Sequence, residues 1–485
     1  MKKACIGLLL LLSLTSRASA QGYRIEATLK GLKDTTCILG HYLYSNQQFV
    51  AKDTARVDAQ GRMVFEGTSE LPGGLYLILP PGQRRFVELI YSGQEPRFSL
   101  ETDTASIVKS MVVKGSKENE LYYTFQQEVN KIIAELEALL LEKKTRTDPA
   151  SQELINKKMA DHQKQLTDYH RRWVTEHEGT FAASLVKASL DPEIPPAPKL
   201  ANGKTDSTWV FDYYKGHFWD NFDFADARLL RTPFVQAKLD RYIKGLVVQS
   251  ADSLTKEADY LVARAAANRD MKTYFIYYIT GQYEDAKVVG TESVFVHMAE
   301  KYYLTGQMEI SEDGKKRIAE RVATMKPLLV NKIIPNLTVA DTLRRPINLH
   351  DIRAEYTVLF FYSPTCGHCK EAAPMLKAFY DANKASGVKV LAIATEHPEE
   401  WAKYIKTYKL GELMHGYDFA SRIDYRRQFD VFSTPTIYVL DKDKRIVARR
   451  MPIEQLDDFY NFYRKSHPAA APKKSVPNQA AKTGK

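Results

Sequence analysis

The chain is 485 residues long, with 44% hydrophobic and 26% charged side chains, a length that suggests about three domains. Its formal net charge of +10 is mostly peripheral: Lys2, Lys3 and Arg17 lie at the start and Lys473, Lys474, Lys482 and Lys485 at the end, leaving +3 for residues 21–472. Acids and bases interleave over that span, which makes a solvated surface rather than a phosphate-binding stripe and excludes nucleic acid as the expected partner.

The first element is a targeting signal. Lys2-Lys3, the apolar run 6–14 and Ala18-Ser19-Ala20 give a basic n-region, a short h-region and an A-x-A cleavage site, so residues 1–20 read as a signal peptide. The run is too short to span a bilayer comfortably, and no other stretch approaches a transmembrane helix. The expectation is an exported, soluble protein of the periplasm or cell envelope that starts near Gln21. Cys5 precedes the apolar run, lacks the placement of a lipoprotein cysteine and leaves with the signal.

Residues 21–116 carry short strand patterns at 23–29, 62–65, 75–79, 86–90 and 107–113, separated by turn residues such as Pro72-Gly73-Gly74 and Pro81-Gly82. That spacing predicts a small β-sandwich-like domain. Cys37 sits in a strand-like run and reads as a buried small hydrophobe. A redox partner or a dimer bridge is the alternative for an odd cysteine in an exported chain. No metal, phosphate or nucleophile constellation occurs in this region.

At Lys117 the period changes. Leu121, Phe125, Val129, Ile132, Leu136 and Leu139 recur at helical spacing, as do Ile155, Met159, His162, Leu166, Tyr169 and Trp173 after a break at 145–151. Two such helices predict an antiparallel hairpin with both stripes in its seam, and His162 reads as a packing residue. Beyond the proline-rich 191–198 segment come aromatics at 211–224 and helical patterns to Arg321. Residues 117–330 are therefore an expected α-helical middle domain, with its aromatics in the core and a peptide-binding groove as the lesser reading.

The last third holds the chemistry. Tyr356–Tyr362 is an apolar, β-branched and aromatic run that reads as a buried strand, Cys366-Gly367-His368-Cys369 follows, and residues 370–385 read as a helix. The first cysteine thus falls at a helix N-terminus, where unpaired backbone N–H groups and the dipole stabilise a thiolate. Thr434-Pro435-Thr436 stands just before a second apolar strand, 437–440. A four-thiolate zinc site is impossible without a second cysteine pair, and a mixed Cys/His site is poor, because His368 lies inside the loop and no spaced histidine pair follows. The pair reads as redox-active, with no metal and no cofactor.

These residues resemble the thioredoxin fold and, within it, the TlpA/ResA-like thiol–disulfide oxidoreductases of bacterial envelopes, over about residues 331–465. In that fold residues 337–340 and 345–349 supply an N-terminal strand and turn, 388–394 the next parallel strand, 399–408 its crossover helix and 445–449 a closing antiparallel strand. Pro374 falls where thioredoxins kink the active-site helix. Pro435 matches their cis-proline, which lies against the disulfide and leaves backbone free for an extended substrate; a cis bond is cheap only before proline. Thr434 and Pro435 are the implied substrate-binding residues. Two departures stand out. Phe360 occupies the place of thioredoxin's buried carboxylate. Ala372 occupies a place acidic in some ResA-like proteins, with Glu371 one step early and turned by about 100°. Glu371, Lys370, His368 and water stay open as proton acceptors for Cys369. Residues 21–116 and 117–330 resemble the β-rich and helical domains of unassigned function fused to such proteins. The implied fold is a β-sandwich-like N-terminal domain, an α-helical middle domain and a C-terminal α/β thioredoxin fold, followed by a disordered tail, 466–485.

The resemblance implies an exported thiol–disulfide oxidoreductase acting on protein or peptide thiols, with a membrane or periplasmic redox partner, and cytochrome c-type biogenesis as one setting. Cys366 is the expected nucleophile and Cys369 the resolving thiol. Gly367 and His368 tune the loop: an imidazole in place of thioredoxin's proline stabilises the dithiol and makes the couple more oxidising, unless His368 is a solvated bystander. A peroxiredoxin-like enzyme is one alternative, although Leu359 and Ser363 occupy the proline and threonine places its loop requires. An envelope binding or scaffold protein with an ancillary redox domain is another.

Overall fold

A computed structural model of the protein describes residues 22–82 and 85–467. The predicted signal peptide, Cys5 included, and the tail from residue 468 lie outside those residues. The chain forms two units, one running up to Val247 and including Leu261–Tyr274, the other made of Val248–Tyr260 and Phe275 onward.

Eight strands open the first unit: β1 (Tyr23–Lys30), β2 (Thr35–Leu43), β3 (Ser45–Val57), β4 (Arg62–Gly67), β5 (Gly74–Leu79), β6 (Val87–Tyr91), β7 (Arg97–Asp103) and β8 (Val112–Lys114). They make two four-stranded sheets, ordered β4-β1-β7-β8 and β3-β2-β5-β6. Along β1 the buried residues are Tyr23, Ile25, Ala27 and Leu29, the period-two alternation of a strand with one face on a core. The β-rich expectation holds, with one correction. The pattern at 107–113 predicts a strand, yet only Val112–Lys114 pairs there. Upstream, Ser110 Oγ donates to the Ser106 carbonyl at 2.8 Å and Thr102 Oγ1 to the Ile107 carbonyl at 2.7 Å. Those hydroxyls take carbonyls a ladder would need.

Five helices complete most of this unit: α1 (Lys117–Thr145), α2 (Pro149–Glu176), α3 (Phe181–Ser189), α4 (Trp209–His217) and α5 (Val235–Gly245). Helices α1 and α2 form the predicted hairpin, with Phe125 and Trp173 ring to ring at 4.7 Å, but of the two stripes only Leu121, Phe125, Ile132, Ile155 and Trp173 are fully buried. His162 is satisfied at both ring nitrogens, Nε2 lying 3.0 Å from Glu135 and Nδ1 2.8 Å from the Lys158 carbonyl. Polar contacts bind α1 to the β region. The Asn119 side chain accepts from Ile90 N–H and donates to Ile90 C=O, both at 2.8 Å, and the Tyr123 hydroxyl donates to the Glu88 carbonyl. The buried Glu118 carboxylate accepts from the N–H groups of Phe181 and Ala182 at 2.8 Å, capping α3.

Two helices follow in chain order, α6 (Ala251–Ala265) and α7 (Arg269–Glu284), then α8 (Ser293–Met298) and α9 (Glu312–Met325) in the second unit. That unit's sheet is built from β9 (Thr338–Ala340), β10 (Pro346–Asn348), β11 (Tyr356–Tyr362), β12 (Val388–Ala394), β13 (Met414–Tyr417), β14 (Thr436–Asp441) and β15 (Ile446–Arg449). Their order is β10-β9-β13-β12-β11-β14-β15. β11, β12 and β13 run parallel, and β14 pairs antiparallel to β11. Helices α10 (Gly367–Asn383), α11 (Pro398–Thr407), α12 (Tyr425–Phe429) and α13 (Leu456–Ser466) complete it. Because a strand alternates its faces, β11 feeds two cores at once. Val358, Phe360 and Tyr362 join Cys369, Leu376 and Tyr460, while Leu359 and Phe361 join Phe429 and Tyr438. The central strand is apolar throughout for that reason.

Candidate active site

Strand β11 ends at Tyr362, and four residues later the chain enters α10 with Cys366 as its N-cap, in extended conformation. The helix begins at Gly367, earlier than its apolar period suggests. Cys366 is half-buried and Cys369, one turn on, is fully buried; neither is in a disulfide. Cys366 Sγ donates to the Thr434 carbonyl at 3.4 Å, and the Thr434–Pro435 peptide bond is cis. The fold thus brings Cys366, Cys369, Thr434 and Pro435 together across 65 or more residues of sequence.

The two sulfurs differ in acidity. Burial works against ionisation of Cys366, but hydrogen bonding from the Cys369 backbone, the Thr434 side chain, the Cys369 thiol and the His368 backbone outweighs it and holds this thiol below its ordinary value. For Cys369 burial dominates, and its thiol is pushed up to about 12. The helix N-terminus therefore acts on the first sulfur only, since dipole and open N–H effects fade within one turn.

His368 stands at the open side of the loop. Its side chain is 85% exposed and sits 3.4 Å from Glu371, itself 76% exposed. The backbone N–H of His368 hydrogen-bonds toward Cys366. Gly367 is exposed, and a Cβ there would meet nothing within 4 Å, so no close approach demands glycine at this position. Cys369 packs among buried hydrophobic side chains, Val358, Phe360, Ala372 and Leu376 with it. Phe360 is fully buried where thioredoxin has a carboxylate. Its neighbours are aromatic: Tyr362 and Tyr404 stack at 4.6 Å, and the Tyr404 hydroxyl donates to the Cys369 carbonyl at 2.6 Å. Tyr362 Oη and Trp401 Nε1 are both buried. Sequence reasoning misses Tyr404, since nothing in a crossover helix marks which tyrosine will reach across to a cysteine 35 residues earlier. Pro374 lies inside α10 and leaves the Lys370 carbonyl without its helical donor.

Cys37 lies buried in β2, with its thiol pushed up to about 11 by burial, an environment for packing rather than reaction. No group of three or more potential metal-ligating side chains occurs among the described residues. No helix among them is long and apolar enough to cross a membrane.

A seven-stranded mixed sheet, a cysteine pair at the strand–helix junction and a cis-proline opposite it define a thioredoxin-fold domain. Residues 330–449 match the AhpC/TSA family, residues 150–327 a domain of unknown function, DUF5106, and residues 23–122 another, DUF4369. The thiol-disulfide oxidoreductase ResA of Bacillus subtilis is 26% identical over 136 residues, covering 26% of this chain and 72% of the relative. The methylamine utilization protein MauD of Paracoccus versutus is 27% identical over 86 residues, or 18% of this chain. The chain spans about two fifths of the length of that relative, 42%. A crystallised domain of a possible thiol-disulfide isomerase from Cytophaga hutchinsonii is 41% identical, covering 29% of this chain and 96% of that one, with a TM-score of 0.28. By fold and relatives, the C-terminal third belongs with the TlpA/ResA-like thioredoxin-fold thiol–disulfide oxidoreductases.

Proposed function

We propose that the protein is an exported enzyme that exchanges disulfides with protein or peptide thiols through Cys366 and Cys369, without a cofactor. The carrying observation is the split between the sulfurs: one half-exposed and acidified, the other buried and held protonated. Acting as a reductant, the Cys366 thiolate attacks one sulfur of a client disulfide. The Cys366–client bond forms, the client S–S bond breaks, and the leaving thiolate takes up a proton. Cys369 then gives up its proton and attacks Cys366 Sγ; the mixed disulfide breaks and Cys366–Cys369 closes. Two electrons have passed to the client, and the reverse sequence oxidises a client dithiol. The Thr434 carbonyl beside Cys366 and the proline after it offer a client segment an open backbone edge, as strand addition requires.

Support for export is the order of basic, apolar and small residues at the start of the sequence, and the clients would then be envelope proteins with a membrane or periplasmic redox partner. A peroxide-reducing role has less support: Leu359 and Ser363 stand where its loop needs proline and threonine, and Leu359 is buried in the sheet. The test is a pair of serine variants expressed in the envelope. Cys369→Ser is expected to accumulate clients bound through Cys366, and Cys366→Ser to trap none. Equal trapping by both, or trapping through Cys37, would overturn the assignment, and an intact Met1 on mature protein would overturn export.

A further inference from the structure

The segment from Asp430 to Pro435 carries the substrate edge of the site, and its base is fixed by an unusual burial of charge. Asp430 closes α12 in left-handed conformation, with φ of 53°. Its carboxylate is fully buried and ion-paired with two guanidinium groups, Arg321 from α9 and Arg449 from β15. Arg321 Nε also reaches Glu284 at 3.1 Å, at the end of α7, and Arg449 Nε lies 3.6 Å from buried Glu292. Two guanidinium groups thus offset three carboxylates, at a place where an unpaired charge would be strongly destabilising.

Arg321 does one thing more. Its guanidinium carbon lies 5.5 Å from the ring centre of Phe432, within the range of an attractive cation–ring contact. Phe432 is 59% exposed, although it stands only two residues before Thr434, whose carbonyl meets Cys366. Beside it runs a groove of about 300 Å³, lined by Thr395, Glu396, Tyr425, Val431, Phe432 and Thr434. An exposed phenyl ring is commonplace alone. This one is braced by a guanidinium, and it borders a groove that extends to Thr434, whose carbonyl accepts from Cys366 Sγ.

We propose that Phe432, held in place by Arg321, is the platform for an apolar side chain next to the client's reacting cysteine, so that the helical region completes the client-binding site. Arg321 is a positioning residue that acts through Phe432 and Asp430. The proposal rests on the disulfide-exchange reading above. It gives the region matching DUF5106 a defined role, in which Glu284, Glu292 and Arg321 fix the arm that presents Thr434 and Phe432.

The experiment uses the full chain, with dithiothreitol as electron source and three oxidised substrates: a peptide disulfide with leucine two residues after its cysteine, the same peptide with serine there, and glutathione disulfide. Wild type is expected to prefer the leucine peptide in KM. In Phe432→Ala, an exposed change that spares the fold, KM for that peptide rises roughly tenfold, the scale of losing one apolar side-chain contact, with kcat, the serine peptide, glutathione and the redox potential unmoved. Arg321→Met and Arg321→Lys do the same, since neither offers the planar face. No leucine preference in wild type, unchanged KM in Phe432→Ala, full rescue by Arg321→Lys, or loss of kcat on all three substrates would each overturn the proposal. If wild type turns over none of the three, the exchange reading itself has failed.

Discussion

The surroundings of Cys366 and Cys369 form two regions one helical turn apart, and nearly everything about the site follows from their contrast. The first is the open end of a helix, rich in unpaired N–H groups and partly wet. The second is a core of Tyr362, Tyr404, Trp401 and Phe360. Same side chain, opposite acidity: backbone donors favour the thiolate at one sulfur, and lost solvation forbids it at the other. The lesson is that burial, more than any named partner, ranks the two thiols.

The sharpest way to break this contrast is to remove each sulfur. Cys366→Ser should abolish reduction of insulin-like disulfides. Cys369→Ser should retain the first attack but stall with clients attached, read on non-reducing gels.

Titration comes next. The Cys366 thiol is held below its ordinary value, so its alkylation by iodoacetamide should rise through a midpoint below that of a free thiol and level off while Cys369 stays unlabelled. Burial pushes the Cys369 thiol up to about 12, and it should react only on unfolding. Equal labelling of both at neutral pH would break the comparison.

A finer test separates ring from backbone at His368. Proline there removes an N–H facing Cys366, destabilises the thiolate and so the dithiol, and should lower the potential by about 30 mV for each tenfold change in the dithiol–disulfide equilibrium. His368→Ala keeps the N–H and should shift the potential far less. A full shift in His368→Ala would return the tuning to the imidazole.

The smallest effect is expected at Tyr404. Removing its hydroxyl deletes one buried hydrogen bond to the Cys369 carbonyl, worth about 1 kcal/mol of stability, measured by denaturant unfolding, while the cysteine order of reactivity is kept.

Much of the site was legible because its signals are local. An apolar strand, C-x-x-C and a proline before a second strand are each readable within a few residues, and the tetrapeptide's place at a helix start follows from them. Strand β3 was not legible: Ser45–Val57 is largely polar because it lies at a sheet edge with little of its length on the core. The buried pairing of Arg321 with Asp430 joins residues 109 apart, and charged residues in an amphipathic helix look the same whether they face water or a buried carboxylate. At His368 sequence names a side chain but is silent on its amide, whose hydrogen bonding toward Cys366 only the fold displays.

Asn119 has a consequence for the company this protein keeps. Strand β6 is the last in its sheet, and its outward-facing Ile90 N–H and C=O and its Glu88 C=O are already taken by the Asn119 amide and the Tyr123 hydroxyl. A bare strand edge is a template on which another copy can zip itself. One carboxamide and one phenol stand in for part of the missing neighbour strand, so backbone pairing with another copy at this edge would have to displace them, a guard made of two side chains rather than a further strand.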